Sequence, residues 1–257
     1  MQHPFASSFP LSPRALRFAL ANLAVFAVGA FFGARWISAS HAHSRLLDSP
    51  TTLTLRVPHA KGAVTLDGDT DDPGWHNDPA RTGAFLGADG VSLARPHSEA
   101  KLVWGDGHLY VELYAADQDI RATHETPGGP VWQSDSFHLV FSDGVKEHSF
   151  DVSPLGTLTD GERAIDGHAP GAAKPFDYRW NSGAHVSHEL DGTPNHPDDQ
   201  DEEWVIEMAI PFEALGLTGA KGESLDLAMR RCDDTKTGAH SCGTWGAGEH
   251  RGRIVLD

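Results

Sequence analysis

Trp132 is the residue whose type and setting first suggest a chemical role. It lies within residues 130–136, directly before an alternating apolar run, and Asp135 follows it three positions later. An indole ring at the junction of a loop and a strand can offer a flat apolar face to a ligand, with polar groups beside it. Trp245 is also flanked by loop residues, and Trp180 lies in a long segment rich in Gly and Pro. Ligand contact and plain packing are both open for these rings.

The two cysteines are the next candidates for chemistry. Cys232 and Cys242 are ten positions apart in the last strand-forming region of the chain. Outside the cytoplasm, a disulfide that closes this short loop is favoured, and two buried thiols are the alternative. Two cysteines cannot form a structural zinc site alone.

Two acidic segments, residues 67–72 and 198–203, make calcium a candidate cofactor. Ca²⁺ takes several oxygen ligands, often from flexible loops. Neither segment has the spacing of an EF-hand loop, and a solvated acidic face is the alternative reading.

Catalytic signatures are missing from the sequence. It contains no Gly-x-Ser-x-Gly, no His-Glu-x-x-His and no Gly-rich phosphate loop, and no two carboxylates stand out as an acid and base pair. We therefore expect a protein that is not an enzyme.

Charge excludes one class of partner. The chain of 257 residues has a formal net charge of −16. Four of its 20 Lys and Arg residues, and none of its 36 acids, lie in the first 45 residues, so the rest carries 16 basic and 36 acidic residues, or −20. Such a surface repels nucleic acid and anionic lipid.

The N-terminal segment indicates export. Residues 18–34 form an uncharged run of 17, preceded by Arg14 and Arg17 and followed by Arg35. As a helix the run spans about 26 Å, enough for a bilayer once the flanking residues sit at the interface. We expect a cytoplasmic tail at 1–17, a transmembrane helix or cleavable signal sequence at 18–37, and a linker at 38–50. Either reading places the rest at the periplasmic or outer side, anchored or secreted.

The remainder, residues 51–257, reads as strands and turns. Residues 100–104 and 108–115 alternate in polarity around an Asp-Gly turn, which is a strong hairpin signal. A single helical turn is expected at 211–216 and a long loop at 159–183. Further strands are expected at 51–57, 63–66, 137–141, 147–152, 184–190, 204–210, 225–229 and 253–256. Nine or ten strands without βαβ alternation predict one all-β domain, an antiparallel β-sandwich of jelly-roll type.

These pieces, in order, resemble the family 9 carbohydrate-binding module, which belongs to a wider set of sugar- and haem-binding sandwich domains. The resemblance covers about residues 60–257. It rests on Leu66-Asp67-Gly68 with Asp72-Pro73-Gly74-Trp75, on Lys101-Leu102-Val103-Trp104 with Leu109-Tyr110-Val111, on Asp117-Gln118-Asp119-Ile120, on Trp132-Gln133-Ser134-Asp135-Ser136, on the run from Asp201 to Pro211, and on Gly252-Arg253-Ile254-Val255-Leu256.

The resemblance implies a carbohydrate ligand held between two tryptophans. By motif these are Trp132 and Trp245, and the fold would place them on either side of a cleft. His138, Cys242 and Asp151 stand where sugar-binding members have Glu, Asn and, in at least one case, Arg. The resemblance also implies a glycoside hydrolase as a working partner.

Two alternative functions stay open. One is a haem-binding electron-transfer domain of the same fold, with Met208 or Met229 and a His or Lys as axial ligands, although Met208 is expected to face the core. The other is an interaction or scaffold domain without a sugar site. The leading expectation is an exported, non-catalytic domain that binds a saccharide by aromatic stacking.

Overall fold

The computed structural model describes residues 53–76, 78–165, 174–235, 237–246 and 251–257. The predicted tail at 1–17, the membrane or signal segment at 18–37 and the linker at 38–50 lie outside the described residues. Within the described ranges, no helix has the length and apolar character needed to cross a membrane. Ser49–Asp257 form one compact unit.

Strands dominate the described part of the chain, and the all-β prediction is confirmed. They are β1 (Thr54–Val57), β2 (Ala80–Arg81), β3 (Ser98–Gly105), β4 (His108–Ala116), β5 (Ser136–Ser142), β6 (Lys146–Val152), β7 (Leu158–Ala164), β8 (His185–Asp191), β9 (Glu203–Pro211), β10 (Ser224–Asp234), β11 (His240–Trp245) and β12 (Gly252–Leu256). Two short 3₁₀ turns, Val131–Gln133 and Phe212–Leu215, complete the set. The second is the predicted helical turn, and it ends at Gly216 in the left-handed conformation.

The strands form two sheets. The seven-stranded sheet has the order β1-β12-β10-β5-β6-β7, with β11 also paired to β10, and the five-stranded sheet has the order β2-β3-β4-β9-β8. Neighbouring strands are antiparallel except β1 and β12, which are parallel. The predicted hairpin is present as β3 and β4.

The core lies between the two sheets. Apolar residues at alternate positions of β4, β5, β9 and β10 face one another there, as period-2 alternation requires. Phe137 of β5 meets Trp204 of β9 edge to face, with ring centroids 5.1 Å apart. Met208 and Met229 both belong to this core, so the expectation for Met208 is confirmed.

Two predicted segments were wrong in detail. Residues 63–66 form no strand, because this segment belongs to a loop held against the five-stranded sheet by Glu207. That buried carboxylate accepts hydrogen bonds from the Gly68 N–H at 2.8 Å and from the Trp75 indole N–H at 2.8 Å. The motif from Leu66 to Trp75 is therefore a loop that packs on the five-stranded sheet and is held there by hydrogen bonds to Glu207. The loop predicted at 159–183 was wrong at its start, because Leu158–Ala164 form strand β7. This polar edge strand was missed because its alternation is weak in the sequence.

Candidate functional site

The outward side of the seven-stranded sheet, which we call the outer face, carries the candidate site. Strands β10, β5, β6 and β7 present their side chains there in three rows set by strand register. The first row is polar and consists of Arg230, His138, Asp151 and Thr159. The middle row is small and consists of Ala228, Val140, Ser149 and Gly161. The third row is charged or polar and consists of Asp226, Ser142, Glu147 and Arg163.

The short side chains of the middle row leave a hollow between the two polar rows. A cleft of about 460 Å³ occupies this position, and we call it the outer groove. Its lining includes His138, Arg163, Phe176, Arg230 and Arg251. The groove therefore joins aromatic surface to several hydrogen-bond donors.

Three aromatic rings, which we call the aromatic wall, stand beside the groove. Trp132 and Tyr178 stack with centroids 5.6 Å apart and planes 27° apart, and Phe176 lies 6.3 Å from Tyr178. Trp132 and Tyr178 are 38% and 41% exposed, which leaves apolar ring surface open to a ligand. Gly161 of β7 makes this approach possible, since a Cβ atom there would lie 2.9 Å from the Tyr178 ring.

Local structure explains why Trp132 points outward. It lies in the 3₁₀ turn Val131–Gln133, and Val131 is buried as the anchor of that turn. The Thr159 hydroxyl donates a 2.6 Å hydrogen bond to the Gly129 carbonyl and ties the preceding loop to β7. Asp135 accepts from the backbone N–H groups of Arg121 at 2.6 Å and Asp234 at 2.7 Å, so this motif residue serves the fold.

His138 and Asp151 form the polar centre of the first row. His138 Nδ1 lies 2.7 Å from Asp151 Oδ1, and the carboxylate is buried while the imidazole is partly exposed. Burial, together with the negative charge of Asp151, raises the pKa of the Tyr178 hydroxyl. The phenol of the aromatic wall is therefore a neutral group that can both donate and accept hydrogen bonds.

The opposite end of the groove is built from arginines. Glu147 accepts from Arg163 Nε at 2.6 Å and from Arg251 Nη2 at 2.5 Å. Arg163 also lies over the Phe176 ring, with its guanidinium carbon 4.2 Å from the centroid. The charged row and the aromatic wall are thus in contact.

Three sequence-predicted site residues come together here, namely Trp132, His138 and Asp151. Two do not. Trp180 lies toward the core side of the sheet, 5.0 Å from His148 and 6.3 Å from Phe150 between ring centroids.

The expectation that Trp245 faces a cleft was wrong. Trp245 is 1% exposed and belongs to the core. It is the last residue of β11 and pairs with Met229, whose side chain also points inward, so register directs the indole away from the outer face. Its ring packs on Gly252, where a Cβ atom would overlap it.

Sequence reasoning missed the aromatic partners Phe176 and Tyr178 and the arginines Arg163, Arg230 and Arg251. Arg230 had a readable signal, because an inward Met229 on the predicted strand at 225–229 implies an outward neighbour. The others lie on or next to β7 and β12, whose positions only the sheet topology reveals.

The predicted disulfide between Cys232 and Cys242 is present, with an S–S distance of 2.08 Å. It joins directly opposed positions of β10 and β11. His240 lies near both sulfurs, but their covalent bond removes the thiolates that a metal would need.

A second cluster of potential metal ligands consists of three aspartates. Carboxylate oxygens of Asp117, Asp135 and Asp233 lie within 4.8 Å of one another, and all three residues are buried. Arg231 Nη2 lies 2.7 Å from Asp117 and 2.8 Å from Asp233, so a guanidinium already supplies positive charge there. Burial, and then the charge of Asp117, raises the pKa of Asp135 to about 8.

Carboxylates of the two acidic segments predicted for calcium accept hydrogen bonds from backbone N–H groups. Asp67 and Asp69 each accept the N–H group two residues ahead, and Asp201 accepts from Ile120 and Thr193. Among the described residues, neither segment assembles three potential ligands around one point. The geometry thus adds no support for calcium at these places.

No protein-family model matches the sequence, and no curated protein matches it in sequence. The fold is similar to a family 9 carbohydrate-binding module from Caldicellulosiruptor kristjanssonii in complex with cellotriose, with a TM-score of 0.53, 16% identity, and coverage of 79% of this chain and 93% of that one. The fold is also similar to a family 9 module from the same organism in complex with glucose. The TM-score is 0.52 and the identity 16%, and the match covers 79% of this chain and 95% of that one.

A candidate carbohydrate-binding protein from Bacteroides uniformis ATCC 8492 is also similar, with a TM-score of 0.57, 14% identity, and coverage of 79% of this chain and 99% of that one. The resemblance inferred from the ordered motifs is thus confirmed at the level of the fold. The chain has the β-sandwich fold of the family 9 carbohydrate-binding modules.

Proposed function

We propose that the protein is a non-catalytic carbohydrate-binding domain and that the saccharide binds on the outer face. The observation that carries this proposal is the exposed Trp132–Tyr178 pair beside a row of hydrogen-bonding side chains. This pairing of aromatic surface with fixed polar groups is what a sugar requires, because its C–H faces are apolar and its rim is hydroxylated. The shared fold with saccharide-bound modules supports the same reading.

In this proposal the sugar contacts aromatic rings on one of its faces only. Trp245 is in the core, so the expected clamp of two facing indoles is replaced by Trp132 and Tyr178, which stack on each other in the aromatic wall. A pyranose on the aromatic wall has His138 and Asp151 near its rim, where imidazole and carboxylate can form hydrogen bonds with hydroxyl groups. Because the rings cover only one face of the sugar, the site can accept either the end of a saccharide chain or a unit within an extended chain.

Export is the second part of the proposal. The apolar run at 18–34 and the disulfide both favour a compartment outside the cytoplasm, with the domain either anchored or released. In that setting a glycoside hydrolase is the natural partner, since a non-catalytic binder keeps an enzyme close to its polymer.

The test is a glycan array followed by calorimetric titration of the best ligand. Trp132→Ala and Tyr178→Ala should each weaken binding by about tenfold or more, since loss of one stacked ring costs on the order of 1.4 kcal/mol. Trp132→Phe should retain much of the affinity. Val91→Ala, at another exposed apolar residue, is the control and should bind like the unmodified protein. Unchanged affinity in both aromatic variants would reject the outer face as the site.

A further inference from the structure

We propose that the saccharide bound in the outer groove is acidic, with an anionic substituent on the sugar that Arg230 recognises. This inference rests on the proposed function and names the ligand class for the same site. It starts from a mismatch of charge between the groove and the rest of the protein.

The groove is cationic in an acidic protein. The chain carries 20 basic and 36 acidic residues, yet three arginines line this one cleft: Arg163, Arg230 and Arg251. Among the described residues, the rows beneath hold three carboxylates: Glu147 pairs with Arg163 and Arg251, Asp151 with His138, and Asp226 with Arg253, which does not line the groove. Four described arginines thus face three carboxylates, which leaves one positive charge, and none of these carboxylates pairs with Arg230. A neutral sugar would need hydrogen-bond donors here but no surplus of charge.

The arginines differ in how far their donors are already used. Arg163 and Arg251 share the single carboxylate of Glu147, and Arg163 also donates to the Lys174 carbonyl at 3.2 Å. Arg230 is exposed and makes no ion pair with any residue in the described part of the chain. Its guanidinium is thus the group available for an incoming anion.

Arg230 is placed to contact a ligand that lies over the middle row of small side chains. It stands in the first row, in register with His138 on β5 and with Thr244 on β11. Asp226, the β10 residue of the third row, is four positions away, so the rows are separated by about 13 Å along the strand. A sugar ring above the small middle row would have Arg230 at one end and the Arg163–Arg251 pair at the other.

Guanidinium chemistry identifies the substituent as a planar or tetrahedral oxyanion. Arginine donates two parallel hydrogen bonds to a carboxylate, and it also binds sulfate-type groups strongly. A uronic acid and a sulfated sugar both present this chemistry. Lysine would supply the charge without the fork, which gives a matched variant.

The experiment compares three oligosaccharide arms of equal length on the full protein: neutral glucose oligomers, the corresponding uronate oligomers, and sulfated oligomers. We expect at least one anionic arm to bind about tenfold or more tightly than the neutral arm at low ionic strength, and this preference should shrink as salt is added. The arm that binds best identifies carboxylate or sulfate as the source.

Arg230→Gln should remove the preference for the anionic arm over the neutral arm, while Arg230→Lys should keep part of it. Arg253→Gln is the control, because Arg253 is exposed on neighbouring β12, pairs with Asp226, and does not line the groove. Circular dichroism and thermal melting would establish that each variant is folded.

Two results would overturn the inference in distinguishable ways. Equal affinity for neutral and anionic arms, unaffected by Arg230→Gln, would reject an acidic ligand and leave saccharide binding intact. Absence of binding in all three arms, with the folded protein, would reject the proposed function and this inference together.

Discussion

At the scale of single residues, two tryptophans with similar sequence settings have opposite roles. Trp132 follows a buried Val131 in a 3₁₀ turn and presents its ring to solvent. Trp245 ends a strand whose register turns it into the core, beside Met229. The residue type is the same in both cases. The direction of each ring is set by its backbone: Val131 occupies the buried position of the 3₁₀ turn, and strand register places Trp245 on the inner side.

This contrast predicts different stability effects. Trp245→Ala should lower the free energy of unfolding by about 3–5 kcal/mol, because a fully buried indole leaves a cavity that the sheets cannot close. Trp132→Ala should change it by about 1 kcal/mol or less, since much of that ring is already solvated. Urea denaturation followed by circular dichroism measures both. Similar losses for the two variants would mean that the assignment of core and surface is wrong.

At the scale of elements, β10 is the strand that connects site and core. Its first half pairs with β12, its second half with β11, and its other edge with β5. Alternation sends Arg230 to the outer groove and Arg231 into the buried acidic cluster. The disulfide then joins β10 to β11 beyond the polar row.

Removal of the disulfide is expected to weaken the protein without altering the sheet order. Cys232→Ser with Cys242→Ser should lower the free energy of unfolding by about 2–3 kcal/mol, the chain-entropy value for a loop of this length. The strands keep their backbone hydrogen bonds, so saccharide affinity should fall by less than about threefold. Thermal melting and titration of the double variant measure these quantities. A large loss of affinity with unchanged stability would contradict the expectation.

At the scale of the whole molecule, a buried polar network connects the two sheets at one end of the sandwich. Asp117, which follows β4 of the five-stranded sheet, meets Arg231 of the seven-stranded sheet at 2.7 Å. The indole N–H of Trp204 donates to the same carboxylate at 3.0 Å. Asp135 and Asp233 complete the cluster, so three acids surround one guanidinium.

This network predicts that stability falls as pH rises. The pKa of Asp135 is raised to about 8, above its ordinary value of 3.8, first by burial and then by Asp117. The folded protein therefore holds a proton that the unfolded chain releases. Its contribution is fully present below about pH 4 and is lost as pH rises through about 8. Burial raises the pKa of Asp233, Glu99 and Glu207 in the same direction.

The check is the urea midpoint at about pH 5 and about pH 8.5, with the lower pH expected to be the more stable condition. Asp135→Asn should reduce the pH dependence, although its amide N–H₂ faces a backbone donor and costs stability at every pH. Val91→Ala, at an exposed residue that does not titrate, is the control and should leave the slope unchanged. A midpoint that rises with pH would contradict the assigned direction.

Local pattern alone determined the all-β class, the hairpin at 100–115 and the inward faces of the main strands, and together with the expected export it favoured the pairing of the two cysteines. Period-2 alternation and turn residues act between near neighbours, so they can be read without knowledge of the fold. Trp132, His138 and Asp151 were identified through the ordered motifs, and the structure brings them to one face.

Tertiary structure decided the rest of the site. The strand from 158 to 164, the aromatic partners at 176 and 178, and the arginines at 163, 230 and 251 meet only because β7, β6, β5 and β10 pair in that order. Trp245 became core because the register of β11 on β10 places it on the inner side. Such contacts join residues up to about a hundred positions apart, and no local pattern encodes which distant strand will be the neighbour.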